Sequence, residues 1–167
     1  MILVGLLLVD RRQAIVGVFA FLISLAVLSA PTLPQNVLLE TESAYNQIRL
    51  VQKNELVYMI LNSPNINLVH SVYAKDRTLM NLSLVDIFNI GAEITSAKNI
   101  LILGMAGGSS IRQFQQYFPE AKIDAVEIDS KIVEIAKEKF GISESEKLKI
   151  YINDAGPFLA KAEKNTT

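Results

Sequence analysis

The chain has 167 residues, of which 50% are hydrophobic and 20% are charged, and its net charge is −1. This balance is typical of a globular protein of one domain or a little more. Without a basic stripe it gives no indication of nucleic-acid binding. The absence of cysteine excludes disulfides, thiolate catalysis and cysteine-ligated metals. The single histidine, His70, stands alone, so we expect a structural or surface role for it and no metal site.

The apolar residues are concentrated near the N-terminus. Ala14 to Ala30 is almost wholly apolar, and no charged residue occurs from Gln13 to Leu39. A helix over this stretch and its neighbours is long enough to cross the roughly 30 Å hydrocarbon core of a bilayer. A membrane helix of a longer protein, a signal anchor and a cleaved signal peptide are the alternatives. A buried core helix is disfavoured because the segment has no polar face. We therefore predict a membrane segment and linker over residues 1–34, with the lipid bilayer as a partner.

Two β-rich runs follow this linker. Tyr45 to Gln52 and Glu55 to Asn62 are separated by Lys53-Asn54, which predicts a hairpin. Ile66 to Tyr73 is a candidate third strand. These runs predict a small antiparallel β domain over residues 40–75.

After a predicted helix from Arg77 to Ala92, strands and helices alternate to the end of the chain. The strand sequences are NILILG, KIDAVEID and KLKIYIND, and the helices follow them at Ser109–Phe118, Lys131–Phe140 and Ala155–Lys164. Alternation at this spacing predicts a parallel sheet with right-handed crossovers, here a half-sheet in the order 3-2-1. Residues 76–167 are therefore predicted to form an α/β, Rossmann-like nucleotide-binding domain.

Small residues follow the first strand of this sheet, and an acid ends the second strand. The small residues are Gly104, Ala106, Gly107 and Gly108. Glu127 lies about twenty residues further on, which is the spacing at which doubly wound folds bind a ribose. One carboxylate can accept hydrogen bonds from two adjacent hydroxyls. The alternative is a tight turn, with Glu127 as a solvated charge at a strand end.

Another acid, Asp154, follows the third strand. It has two candidate roles that compete for the same oxygens. One is to cap the following helix, with Pro157 in the first turn of that helix. The other is to accept a hydrogen bond from an adenine amino group in the same cleft. Asp129, two residues beyond Glu127, is predicted to cap the helix that follows it.

Taken in order, these segments resemble the spermidine synthase family, the polyamine aminopropyltransferases, and in particular its branch with membrane helices. The resemblance runs from about Glu42 to the end of the chain and rests on ESAYNQIRLV, ILILGMAGGSS, AVEIDSKIVEIAKEKF and INDAGPFL. It implies a small β domain packed on an S-adenosylmethionine-type Rossmann half-sheet. It also implies transfer of an aminopropyl group from decarboxylated S-adenosylmethionine to a polyamine such as putrescine, without a metal.

The resemblance also implies residue roles. The candidate cofactor-binding residues are Gly104, Ala106, Gly107, Gly108, Glu127, Asp154 and Ala155. In the implied complex, Glu127 binds the ribose and Asp154 with Ala155 lies beside the adenine. Gln47, or Asn46 next to it, falls where the family's Tyr-Gln pair contacts the substrate region.

The chain also departs from the family pattern. The family's Gly-Gly-Gly-Asp-Gly loop is Gly-Met-Ala-Gly-Gly here, so that Gly107 stands where an acid is expected. Its Leu-Asp-Gly stretch corresponds to Leu61-Asn62-Ser63. Two rival hypotheses stay open, and the loss of the loop acid fits the first of them. One is a methyltransferase-like protein that uses ordinary S-adenosylmethionine, and the other is a membrane-tethered protein that binds a nucleoside without catalysis.

The resemblance implies an acidic catalytic base in a loop after a fourth strand, and the sequence ends at Thr167, before such a strand. We therefore expect the base to lie beyond Thr167. The prediction is a partial chain that is inactive alone, with an unknown catalytic residue.

The location of the chain follows from its first charged residues and from its expected ligand. Arg11 and Arg12 precede the membrane segment, and the positive-inside rule would place the remaining domain outside the cell. Because adenosyl cofactors are made inside cells, we instead predict a membrane location with that domain on the cytoplasmic face. The sequence is compatible with a homo-oligomer.

Overall fold

The structure, a computed structural model, describes residues 36–63, 68–76 and 84–164. The predicted membrane segment lies outside these residues. Among the described residues, no helix is long and apolar enough to cross a membrane. The longest of them has 12 residues, which corresponds to about 18 Å of helix. Within the residues that the structure describes, this finding contradicts the predicted location, a membrane protein with its domain on the cytoplasmic face.

The first part of the described chain forms a four-stranded antiparallel sheet in the order β1-β2-β3-β4. Its strands are β1 (Val37–Glu42), β2 (Gln47–Lys53), β3 (Leu56–Leu61) and β4 (Val69–Tyr73). The predicted hairpin is confirmed as β2 and β3, which pair from Ile48 with Leu61 to Lys53 with Leu56. Asn54 adopts a φ of 56° in the turn between them, a conformation that asparagine tolerates well in tight hairpins. Strand β1 begins ahead of the predicted start of the domain at residue 40.

Alternation along β2 decides which face of this sheet is buried. Ile48 and Leu50 are fully buried, whereas Arg49 between them forms an ion pair with Glu40 of β1 at 2.9 Å. Successive side chains of a strand point to opposite faces. The buried face therefore joins the hydrophobic core, together with Met59 of β3.

Helix α1 (Leu84–Thr95) follows the antiparallel sheet. The part of its predicted range before Leu84 lies outside the described residues, and the helix ends three residues later than predicted. Ile87 and Phe88, which the sequence pattern places on an apolar face, are 49% and 50% exposed. The contact of α1 with the next helix includes a polar pair, in which Asn89 Nδ2 donates to Oε1 of the buried Gln113 at 2.7 Å.

The remaining elements form a three-stranded parallel sheet in the order β5-β6-β7, with helices between the strands. They are β5 (Asn99–Leu103), α2 (Ser109–Tyr117), β6 (Lys122–Glu127), α3 (Ser130–Lys139), β7 (Leu148–Ile152) and α4 (Ala155–Lys164). The predicted α/β class and strand order are confirmed. One face of the sheet packs on α3 through residues such as Ile123, Ile132 and Phe140.

The register of these strands brings their carboxyl ends to one edge of the sheet. Leu103 pairs with Val126, and Glu127 pairs with Ile152. The residues that follow each strand are therefore neighbours, as expected where open α/β sheets bind ligands.

Candidate functional site

A cleft of about 270 Å³ lies at this edge of the sheet. Its lining residues are Leu103, Gly104, Val126, Glu127, Ile128, Asn153, Asp154 and Ala155. Four of the residues named from the sequence are thus brought together, namely Gly104, Glu127, Asp154 and Ala155. Segments that follow three different strands contribute to one concave surface.

Glu127 is the acidic group in the wall of the cleft that is most firmly held. Its Oε2 accepts hydrogen bonds from the backbone N–H groups of Met105 at 3.1 Å and Ala106 at 3.2 Å. Its Oε1 accepts from the N–H of Asp129 at 3.1 Å. The residue is only 7% exposed, so Glu127 is not a solvated charge at a strand end. Because a carboxylate offers about four acceptor positions, three backbone donors leave capacity for a ligand.

Glycine occupies positions in this loop for two different structural reasons. Gly104 has a φ of +80°, and a Cβ built there would meet nothing within 4 Å. A Cβ on Gly107 would approach Ser71 and Phe140 to 2.8 Å, and one on Gly108 would approach Ile142 to 2.6 Å. Gly104 therefore leaves open space in the cleft, whereas the other two glycines make room for neighbouring side chains.

Ala106, Gly107 and Gly108 do not line the cleft. They hold the loop, Ala106 through its amide bond to Glu127 and Gly107 through an N–H bond of 2.8 Å to Ser71 Oγ on β4. The neighbouring Ser109 reinforces this attachment, because its Oγ lies 2.7 Å from both the N–H and the carbonyl oxygen of Val72. The antiparallel sheet thus supports the loop from behind, a contact that no sequence motif indicated.

Asp129 caps helix α3, as predicted, and accepts a hydrogen bond from the N–H of Lys131 at 3.0 Å. It is 1% exposed. Its Oδ2 also accepts from the side chains of Ser43 and Asn46, which lie in the turn between β1 and β2. Burial by itself raises the pKa of this carboxyl, but the bonds from Asn46, Ser43 and the backbone outweigh that effect and lower the pKa below its usual value.

Asp154 takes the capping role that was one of its two candidates. Its Oδ1 accepts from the N–H of Gly156 at 2.8 Å in the first turn of α4, and the residue is exposed at the cleft. Gln47 is exposed at the start of β2 and does not line the cleft. Its backbone N–H donates to Asn62 Oδ1 at 2.8 Å.

Sequence reasoning missed Ile128 as a cleft residue. This side chain is 36% exposed although it is apolar, and it lines the cleft together with Glu127 and Asp154. Its position in the Glu-Ile-Asp sequence directly after β6 was the available signal. An apolar surface beside a carboxylate suits a ligand with a flat ring and a hydroxylated part.

The acidic base that the resemblance implies is not assigned to any residue of this cleft. It was expected beyond Thr167, and Thr167 itself lies outside the described residues, which end at residue 164. The cleft as described therefore contains groups that can hold a ligand, and the location of the base stays a prediction.

No group of three or more metal-ligating side chains occurs in the ranges that the structure describes. His70 is exposed, and its Nδ1 accepts a hydrogen bond from the N–H of Leu61 at 3.2 Å. This placement agrees with the structural or surface role expected for it.

A parallel sheet with a cleft at its carboxyl edge, preceded by an antiparallel sheet, defines an α/β protein with a methyltransferase-like, Rossmann-like fold. Residues 77–167 match the family described as "Spermine/spermidine synthase domain". Because the match covers more than half of the chain, the protein belongs to this family.

Two curated relatives illustrate the range of similar proteins. A probable polyamine aminopropyl transferase of Bifidobacterium longum is 37% identical over 105 residues, which are 63% of this chain and 23% of the relative. The mouse eEF1A lysine and N-terminal methyltransferase is 42% identical over 55 residues, which are 33% of this chain and 8% of that protein. The chain therefore spans less than a quarter of the length of either relative.

Solved structures support the fold. A probable spermidine synthase from Corynebacterium glutamicum superposes with a TM-score of 0.63 at 18% identity, over 77% of this chain and 47% of the other. A spermidine synthase in complex with the transition state analogue AdoDATO gives a TM-score of 0.54 at 19% identity, over 75% and 43% of the two chains. At these identities the likeness concerns the fold alone.

Proposed function

We propose that this chain supplies the adenosyl-binding part of a polyamine aminopropyltransferase. Its ligand is decarboxylated S-adenosylmethionine, and the aminopropyl group passes to an amine of a polyamine. The observation that carries the proposal is the Glu127 carboxylate, which three backbone amides hold at the wall of the cleft. Family membership supports the reaction class, and the complex of a related fold with AdoDATO supports the ligand class.

Each cleft residue then has a role in holding the ligand. Glu127 accepts a hydrogen bond from a ribose hydroxyl at the acceptor position that remains on Oε1, and Gly104 lets the ligand approach the backbone where no side chain intervenes. Ile128 packs against the adenine ring. Asp154, with one oxygen engaged in capping, offers its other oxygen to the adenine amino group beside Ala155. We propose that residues 40–75 act as a β domain on the side of the acceptor substrate, with Gln47 at that substrate. We propose that residues 76–167 hold the nucleotide.

In the proposed reaction, the amine nitrogen attacks the carbon next to the sulfonium sulfur. A new C–N bond forms, the C–S bond breaks, 5′-methylthioadenosine leaves, and the amine releases a proton. The positively charged sulfur is already a good leaving group, so the main contribution of the protein is to orient the two reactants. We assign no residue of the described ranges as the base that takes the proton.

The test is calorimetric binding of 5′-methylthioadenosine, the proposed product, to the 167-residue chain and to its Glu127→Gln variant. A hydrogen bond to a charged group contributes about 1.5–3 kcal/mol, so losing one such bond weakens binding roughly tenfold or more. Glu138→Gln, the same change at an exposed position of α3, is the matched control and should bind like the wild type. Thermal unfolding of each variant verifies that it is folded.

A 2′,3′-dideoxy analogue of the ligand gives a second readout. The wild type should bind this analogue as weakly as Glu127→Gln binds the complete ligand. Glu127→Gln should bind the analogue no more weakly than the wild type does. If Glu127→Gln and wild type bind 5′-methylthioadenosine equally, the assignment of the ribose to Glu127 is wrong.

A methyltransferase that uses ordinary S-adenosylmethionine is the second candidate. The observation that favours it is Gly107, which stands where the family carries an acid, and where Ser71 and Phe140 leave no room for a side chain. Without an acid in the loop, the carboxylate of ordinary S-adenosylmethionine meets less repulsion. Tighter binding of the carboxylated than of the decarboxylated cofactor in the same calorimeter would support this candidate over the first.

A further inference from the structure

A chain of hydrogen bonds joins the turn between β1 and β2 to the carboxylate of Glu127. Asn46 Nδ2 donates to Asp129 Oδ2 at 2.8 Å, and Ser43 Oγ donates to the same oxygen. The backbone N–H of Asp129 in turn donates to Glu127 Oε1 at 3.1 Å. The turn is therefore two hydrogen bonds away from the proposed ribose-binding group.

The other side of the Asn46 amide is also engaged. Its Oδ1 accepts from Asn62 Nδ2 at 2.7 Å, and Asn62 Oδ1 accepts from the backbone N–H of Gln47 at 2.8 Å. Asn62 has a φ of 54°, and asparagine adopts this left-handed conformation more readily than most residues. The orientation of the Asn46 amide is therefore determined from both ends, because its NH2 must face a carboxylate and its oxygen must face an amide donor.

Asp129 gives this network its importance. A buried carboxylate that lacks hydrogen-bond donors is strongly destabilising, and Asp129 is 1% exposed. The cap of α3 supplies backbone donors, but the side-chain donors come from Ser43 and Asn46, which are 86 and 83 residues away in the chain. The position of Asp129, and of the peptide that bonds to Glu127, thus depends on the antiparallel sheet.

We propose that Asn46 is a positioning residue for the Glu127 carboxylate. It acts through Asp129 to orient Glu127, and through Asn62 it links that orientation to Gln47 on the predicted acceptor side. This inference rests on the proposed function, because it assumes that Glu127 binds a ribose hydroxyl. Asn46 itself need not touch the ligand.

Loss of the Asn46 side chain should leave the fold intact but hold one carboxylate oxygen of Glu127, Oε1, less firmly. Glu127 Oε2 keeps its two bonds to the loop amides of Met105 and Ala106. Oε1, however, depends on the Asp129 N–H, whose segment loses a donor. The ligand should therefore lose part of its hydroxyl binding, while contacts to the rest of the nucleoside are unchanged.

The experiment measures calorimetric affinities of the 167-residue chain and its Asn46→Ala variant for 5′-methylthioadenosine and for the 2′,3′-dideoxy analogue. A net hydrogen-bond contribution of ordinary size corresponds to about a three- to tenfold loss of affinity for the complete ligand. We expect no loss for the dideoxy analogue. Asn46→Gln, which keeps the amide donor, should recover most of the affinity. Asn99→Ala, at the opposite end of β5 from the cleft, is the matched control.

Asn62→Ala provides a second test of the inference in case Asn46→Ala does not fold. It leaves the bond between Asn46 and Asp129 in place, so it should give a smaller loss of the same kind, again only for the ligand with hydroxyls. Thermal unfolding of every variant is recorded in parallel. If Asn46→Ala does not fold, an Asn62→Ala affinity that is lowered only for the ligand with hydroxyls supports the inference, and any other Asn62→Ala result contradicts it.

The outcomes that would contradict the inference can be distinguished from one another. Equal weakening for both ligands would mean that Asn46 has only a general structural role. Unchanged binding by Asn46→Ala, with Glu127→Gln still weakened, would overturn the positioning role and leave the proposed function standing. If the wild type does not bind, or Glu127→Gln binds normally, the proposed function fails and the inference fails with it.

Discussion

Replacement of Gly108 by alanine tests why the loop after β5 contains glycine. Gly108 precedes helix α2 with a φ of +81°, and a Cβ built there would lie 2.6 Å from Ile142 Cδ1 and 2.7 Å from its Cγ1. Ile142 is 1% exposed, so it has little room to move. Gly108→Ala should therefore destabilise the fold for two separate reasons.

The two contributions can be estimated. A left-handed backbone conformation costs a non-glycine residue about 1–2 kcal/mol, and overpacking of a core costs about 1–3 kcal/mol. Their sum, roughly 2–5 kcal/mol, is a large fraction of the 5–15 kcal/mol by which typical proteins are stable. Urea unfolding followed by circular dichroism should show a midpoint lowered by about 1 M or more, with an unchanged slope.

Gly91→Ala is the matched control for this experiment. Gly91 lies inside α1, and a Cβ there meets nothing within 4 Å. Alanine in a helix interior is favoured over glycine by about 0.5–1 kcal/mol, so this variant should unfold at a slightly higher urea concentration. If Gly108→Ala unfolds at the same midpoint as the wild type, the packing explanation for this glycine is wrong.

Two further predictions concern the cleft and its supporting acid. Gly104→Ala places a methyl group in the open space of the cleft, so it should weaken 5′-methylthioadenosine binding about tenfold or more. A modest loss of stability should accompany this effect, because Gly104 has a φ of +80°. Unchanged affinity would mean that the ligand does not approach this backbone. The lowered pKa of Asp129 stabilises the fold above the unfolded-state pKa of about 3.9, and that contribution is lost as the pH falls through the folded-state pKa. The difference in melting temperature between wild type and Asp129→Asn should therefore shrink from pH 6 to pH 3, and a difference that stays constant would contradict the role of the charge.

Sequence patterns predicted the elements of the fold well wherever the signal is local. The hairpin of β2 and β3 and the alternation from β5 to α4 appear in the structure within a few residues of their predicted limits. Periodic apolar residues and turn residues act over short distances, so they can be recognised without knowledge of the rest of the chain. Strand β1 was not predicted, because its first residues directly follow the proline-containing linker and were not recognised as a strand.

The meeting of Gly104, Glu127 and Asp154 at one cleft could also be predicted from the sequence. Each residue follows or ends a strand of a parallel sheet, and the carboxyl ends of such strands lie at the same edge. That topological rule requires only the order of the elements. The inclusion of Ile128 in the same cleft was not predicted, because an apolar residue next to a strand is usually assigned to the core.

Only the tertiary structure decided what the individual residues of the site contact. Gly107 and Gly108 were equivalent to Gly104 in the sequence pattern, but contacts with Phe140 and Ile142 distinguish them. In the same way, the bond between Asn46 and Asp129 joins residues that are 83 positions apart. Local periodicity carries no information about such distant neighbours. Side-chain packing and hydrogen bonding in the folded chain determine them.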